Sequence, residues 1–266
     1  MSVSRQTSDP DGDTPTGLDY IQSNQKICPA CPQKIIFCID LANEMDETLQ
    51  GTTGVGIKGT LGSDVSRILL TRRLLLRFIH LKLMFNNSHE FAIVVLNEKA
   101  VWHMDFSNDE MLLEMAISEL YPTGHYNTFD TTSLFTTIAQ HVGMARDDVM
   151  VQVILVYGRS AVIPDPVDQK IMEILHANPR FQLDAVYLHG KKNATNCPQS
   201  VYDRLTELEN PAGRSYFFEV TRHAKRYAIA MTQLLGHPLQ RAEQEEDSYE
   251  LKDETVTVDL VDDDVA

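Results

Sequence analysis

Six stretches of this chain are nearly unbroken runs of apolar, β-favouring residues, and most are separated by segments whose apolar positions recur every three or four residues. The runs cover 34–40, 89–97, 100–103, 149–157, 181–189 and 215–220. A strand that stays apolar without alternating is covered on both faces, as happens in a parallel sheet sandwiched by helices. The helical periodicity predicts helices over about 63–85, 108–120, 131–141, 166–176, 199–208 and 223–235. The first is capped by Ser63 and Asp64 and carries Ile68, Leu69, Arg72, Leu75, Leu76 and Ile79 at helical spacing. Only the second and third strands lack a helix between them. Glu98 and Lys99 are too few residues for a crossover, so these strands form an antiparallel hairpin at one edge. The expected fold is α/β: a doubly wound, mostly parallel six-stranded sheet with one antiparallel edge strand.

In such a sheet, ligands bind beyond the carboxyl ends of the strands where the strand order reverses. That point falls between the first strand and the one ending at Tyr157, and Asp40 closes the first strand there. A carboxylate at this place suits a divalent cation, which wants several oxygen ligands. The following residues, Leu41-Ala42-Asn43-Glu44, lack the hydroxyls that would assist it. The other use of Asp40 is internal, as a cap on the next turn or a partner of Arg159.

Charge divides the chain of 266 residues into three parts. The net charge is −15, and residues 1–25 and 242–266 hold −3 and −10 of it, leaving a nearly neutral body. No basic stripe is present to neutralise phosphates, which argues against nucleic-acid binding. Residues 1–25 are too poor in large apolar side chains to repay ordering and read as a disordered leader. The domain is expected over 26–236, with a partner-docking segment and acidic tail over 237–266. No apolar stretch is free enough of charge to span a membrane, and no secretory signal opens the chain, so a cytoplasmic or nuclear protein with reduced thiols is expected. Cys28 and Cys31 have the spacing of half a zinc site without a second half, and Cys38 reads as a small core residue.

Catalytic patterns are missing. The glycines between 51 and 59 precede no Lys-Ser or Lys-Thr pair, no Gly-x-Ser-x-Gly elbow surrounds Ser160, and no two histidines share a helix face at ligand spacing. No cofactor and no enzymatic activity are expected. After Leu234-Leu235-Gly236, a helix stop, His237-Pro238-Leu239-Gln240-Arg241 reads either as a linker or as an extended peptide built to dock, with an apolar anchor and a forked donor.

The strand order and the antiparallel edge resemble the von Willebrand A fold. In metal-bearing members the first loop supplies Asp-x-Ser-x-Ser, a second loop a Thr and a third an Asp. Asp40 matches the first position and Thr128 the Thr, whereas Ala42, Glu44 and Gly158 stand where ligands would be. The resemblance therefore implies a degenerate metal site; the competing reading is a cation-dependent ligand-binding A domain. Residues 34–44, 88–95, Asn127-Thr128-Phe129, Ile154 to Tyr157, and Leu234 to Arg241 with Ser248-Tyr249 together resemble the Merit-forty family of BRISC- and BRCA-A-complex members. That resemblance implies a non-catalytic scaffold that binds the BRE subunit, with its ubiquitin-E2-variant folds, through Pro238, Leu239, Gln240, Arg241 and Tyr249. It further implies assemblies containing an Abraxas-like scaffold and a JAMM-type deubiquitinase specific for lysine-63-linked chains. Serine hydroxymethyltransferase would be an indirect partner, and roles in the DNA damage response and in cytokine and receptor signalling would follow. In the tail, Val256, Val258, Leu260 and Val261 resemble a SUMO-interacting motif; a solvated acidic tail is the alternative. Tankyrase-binding motifs of longer members are represented only by Arg5 and Pro10-Asp11-Gly12.

Overall fold

The computed structural model describes residues 31–50, 65–142, 149–210, 214–242 and 244. The leader, Cys28, the Ser63-Asp64 cap, Tyr249 and the Val256 to Val261 motif lie outside the described residues. Six strands form one sheet: β1 (Gln33–Asp40), β2 (Glu90–Leu96), β3 (Ala100–Ser107), β4 (Met150–Tyr157), β5 (Phe181–Leu188) and β6 (Phe217–Val220). Their order is β3-β2-β1-β4-β5-β6, parallel throughout except for the β2–β3 hairpin. This is the α/β, doubly wound architecture the pattern predicts.

Two helical layers follow from the alternation of side chains along each strand. Ile35, Phe37 and Ile39 of β1 face α1 (Arg67–Phe85), α2 (Glu110–Ser118) and α6 (Ala224–Gln233). Ile36 and Cys38 face α3 (Thr131–Val142), α4 (Gln169–His176) and α5 (Pro198–Thr206). The central strands β1, β4 and β5 are buried almost end to end, so each aliphatic side chain there contributes about 1.5–3 kcal/mol relative to exposure. Cys38 is fully buried and its thiol is pushed up by burial, in keeping with a packed small hydrophobe.

Local details differ from the pattern where capping decides. The first helix starts at Arg67 rather than at the expected 63–65, because Ser66 Oγ accepts from the Leu69 N–H. Asp109 caps α2, and Asp168 caps α4, which begins at Gln169, three residues after the expected start at Pro166. Strand β3 runs to Ser107, past the expected end at residue 103, since Val101, His103 and Asp105 alternate outward on a solvent-facing edge. After α6, Pro238–Gln240 is a 3₁₀ turn rather than an extended segment. His237 Nδ1 accepts from the Leu239 N–H, and the proline ring supplies the φ that the turn requires.

Candidate functional site

Asp40 ends β1 between β2 and β4, where the order of connections reverses, and is wholly buried. Its carboxylate receives four N–H donors. Oδ1 accepts from the Ala42 amide at 3.0 Å and Oδ2 from the Gly158 amide at 2.9 Å. Arg159 supplies the other two: Nε lies 3.1 Å from both oxygens, and Nη2 lies 2.9 Å from Oδ1. Asp40 thus caps the turn and pairs with Arg159 at once. The guanidinium continues outward, with Nη2 donating to the carbonyls of Leu96 (3.2 Å) and Asn97 (2.6 Å) and Nη1 to that of Thr128 (2.9 Å). The rings of Tyr126, Phe129 and Tyr157 stand 5.1, 5.3 and 5.5 Å from its centre.

The remaining positions of the metal pattern are occupied otherwise. The Ala42 side chain has no atom that could ligate a metal. Glu44 accepts the Ser160 amide on both oxygens and lies 3.9 Å from Arg67 Nη1. Thr128 contributes its carbonyl, not its hydroxyl, to this cluster. A Cβ at Gly158 would collide with Met45 Sδ, so a larger residue there requires Met45 to move. These residues do not fit a divalent cation, because the oxygens that would ligate it already hold a guanidinium. Among the described residues, no three His, Cys, Asp or Glu side chains are grouped to hold a metal.

Beneath the same loops lies Arg67, which the helical pattern did not single out. It is 1% exposed, bonds Glu47 through Nη2 at 2.6 Å and donates to the Gly158 carbonyl at 3.0 Å. Burial lowers its pKa, and the carboxylates of Glu47 and then Glu44 oppose that shift. Ser160 is likewise engaged, its hydroxyl accepting from the Gly190 amide at 2.8 Å.

Towards the amino end of the sheet a second arginine–carboxylate pair is built. Asp184 of β5 is wholly buried and accepts from Arg241 Nη1 at 2.7 and 2.8 Å, from the Tyr216 amide and from Gln152 Nε2. Arg241 also donates to the carbonyls of Leu234 and Gly236, and Tyr216 lies 5.1 Å below its plane. Arg214 clamps the carbonyls of Leu239 and Arg241, and Tyr216 Oη donates to that of Ala242. Gln244 pairs through its amide with both the N–H and the carbonyl of Phe217 on the outer edge of β6. Residues 237–242 and Gln244 therefore form a strap on the domain itself. Pro238 and Arg241 are buried in it, Leu239 is half-buried and Gln240 is exposed. The fork expected to reach a partner is spent on Asp184, a carboxylate that stands out in sequence only as the one charge in an apolar strand. Behind the strap, Lys82 donates to Gln33 Oε1, and the Gln33 backbone N–H donates to His89 Nδ1. Burial, with Arg241 adding to it, pushes Lys82 down to about 7.

No protein-family model matches the chain. It is similar to "BRISC and BRCA1-A complex member 1" of Xenopus laevis, with 28% identity over 84% of this chain and 69% of that protein. The zebrafish protein of the same name, from Danio rerio, is 29% identical over 86% and 63%, and the Homo sapiens protein 28% over 84% and 69%. The chain thus spans about two thirds of the length of these relatives. Among solved structures, a von Willebrand factor type A protein from Catenulispora acidiphila superposes over 77% of this chain and 42% of its own (TM-score 0.51, 11% identity). The von Willebrand factor domain of a type V pili tip protein from Porphyromonas gingivalis does so over 80% and 98% (TM-score 0.50, 13% identity). These two likenesses establish the fold alone. The chain therefore has a von Willebrand A-like fold and is similar, over most of its length, to proteins named BRISC and BRCA1-A complex member 1.

Proposed function

We propose that this chain is a non-catalytic scaffold subunit of a lysine-63-specific deubiquitinase assembly. In that assembly it would bind a BRE-type subunit and, through it, an Abraxas-like scaffold and a JAMM-type deubiquitinase. Roles in the DNA damage response and in cytokine signalling, with nuclear and cytoplasmic pools and an indirect link to serine hydroxymethyltransferase, follow from the same reading. The observation that carries it is the filling of the fold's usual ligand position: Arg159 occupies the acceptors around Asp40, so neither metal-dependent ligand capture nor catalysis has a vacant group there. The complex membership in the relatives' name supports the same direction.

Docking through Pro238, Leu239, Gln240 and Arg241 takes a definite form on this geometry. Pro238 and Arg241 face inward and fix the strap, and Leu239 and Gln240 supply its accessible surface. Co-elution with purified BRE subunit is the test. Wild type is expected to co-elute, and Leu239→Ala with Gln240→Ala is expected to weaken binding at least tenfold, about 1.4 kcal/mol. The double variant should leave the melting temperature within a few degrees. Failure of the wild-type chain to bind would remove the scaffold assignment.

A further inference from the structure

We propose that the loop cluster at the carboxyl edge is a guanidinium site occupied in cis by Arg159, and that this occupancy fixes the face in one arrangement independent of divalent cations and of carboxylate ligands. A guanidinium is a flat cation with five N–H donors and no acceptor, so a site made for it needs oxygens around its rim and apolar or π surfaces over its faces. Both are present. The rim is made by the two oxygens of Asp40 and the carbonyls of Leu96, Asn97 and Thr128, at 2.6–3.2 Å. The faces are covered by Tyr126, Phe129 and Tyr157, at distances typical of cation–π contact.

The acceptors come from three separate segments: the end of β1, the end of β2 and the loop before α3. Arg159 itself leaves the end of β4. One side chain therefore ties together four pieces of chain that are far apart in sequence. Backbone contacts join some of the same pieces, Asn43 N–H to the Gly124 carbonyl and Thr123 N–H to that of Leu41, but neither reaches β4. An incoming carboxylate finds no free donor face, since Arg159 is 1% exposed and its Nε, Nη1 and Nη2 all donate within the cluster. A divalent cation would need the same oxygens at about 2.0–2.6 Å, in the space the guanidinium fills.

The experiment compares wild type with Arg159→Ala, Arg159→Lys and the double variant Asp40→Asn/Arg159→Met, in thermal melts with millimolar methylguanidinium, methylammonium, magnesium or manganese. Arg159→Ala is expected to lower the melting temperature on the order of 10 °C, because it strands the buried Asp40 carboxylate. Methylguanidinium should restore part of that loss saturably, and methylammonium and the metals should not. Lysine, a point charge without the fork, should recover little. If Arg159→Ala does not fold, the double variant, which removes both charges at similar volume, carries the test. It should fold and show no methylguanidinium response, and in wild type the amide exchange of Ala42 and Gly158 should be the same with manganese and with chelator. Three results overturn the proposal: an Arg159→Ala variant as stable as wild type, rescue by methylammonium equal to that by methylguanidinium, or cation-dependent protection of the wild-type loops that Asp40→Ala abolishes.

Discussion

The carboxyl and amino ends of this sheet are closed by the same chemistry, a buried Asp–Arg pair, but the two arginines are held in different ways. Arg159 has only remote acceptors, in Asp40, Leu96, Asn97 and Thr128. Arg241 has one remote acceptor, Asp184, and two neighbours within seven residues, Leu234 and Gly236. The first pair is therefore a knot inside the body of the domain, which cannot loosen without opening several loops together. The second pins a strap near the end of the described chain, which can peel away as a unit while the sheet remains. Desolvation makes neither pair a large net source of stability, but removing one member of either leaves a buried charge without its partner, at about 3–5 kcal/mol.

The contrast breaks most severely at Gly158. Gly158→Asp restores the residue type of the metal-bearing pattern, drives a Cβ into Met45 and adds a carboxylate close to Asp40 Oδ2. The expected cost is about 4 kcal/mol or more, from overpacking and from a second anion sharing one guanidinium. Urea unfolding measures it; a Gly158→Asp protein of wild-type stability that gained manganese binding would show that the carboxyl edge is a metal site after all. Next in size is Arg241→Ala, with an expected loss of about 3 kcal/mol. Here the diagnostic is locality: proteolysis should cut within the strap, while amide exchange in β1 and β4 stays near wild type. Equal loosening of β1 and of the strap would mean that the two ends are coupled.

Sequence and structure agree where packing follows periodicity. The uninterrupted apolar runs of β1, β4 and β5, and the short Glu98-Lys99 link, lead to the sheet and its antiparallel edge without further information. At the carboxyl edge, Asp40 and Arg159 were legible because the strand pattern alone puts both at strand ends flanking the switch point. The rings around Arg159 were not, since Tyr126 and Phe129 sit in a loop whose path no period reveals. The amino edge was the harder case. A Pro-x-x-Arg run after a helix stop says that an arginine will be held, but not by which carboxylate. Asp184 was the clue, a charge inside a strand of eight buried residues, which must have a partner from somewhere. Helix starts were displaced wherever an Asp or Ser side chain one turn later made the better cap, as at Ser66 and Asp168.

The smallest effect at neutral pH, and the sharpest in what it separates, is a titration of His237 in the strap and of His89 and Lys82 behind it. His89 and His237 are each pushed down to about 4, by burial first; Lys82 adds to both shifts, Arg241 adds to that of His237, and His237 adds to that of His89. Below the ordinary histidine value of 6.5 the unfolded chain takes up protons that the folded chain refuses, so stability falls as pH drops from 6.5 towards 4 and is constant with respect to these groups above it. Lys82 acts in a higher window: its folded value near 7 lies below 10.5, so stability rises between those values as the unfolded lysine loses its proton. His237→Gln should match wild type at pH 7 apart from the small cost of its Leu239 bond, and should fall less steeply in acid by at most one proton's slope. Urea midpoints across pH 4–7 measure that slope, and exchange of the Leu239 and Arg241 amides reports whether the strap gives way before the Ala42 and Gly158 amides do. If both ends loosen together in acid, the pairs do not act independently, and the distinction between knot and strap fails.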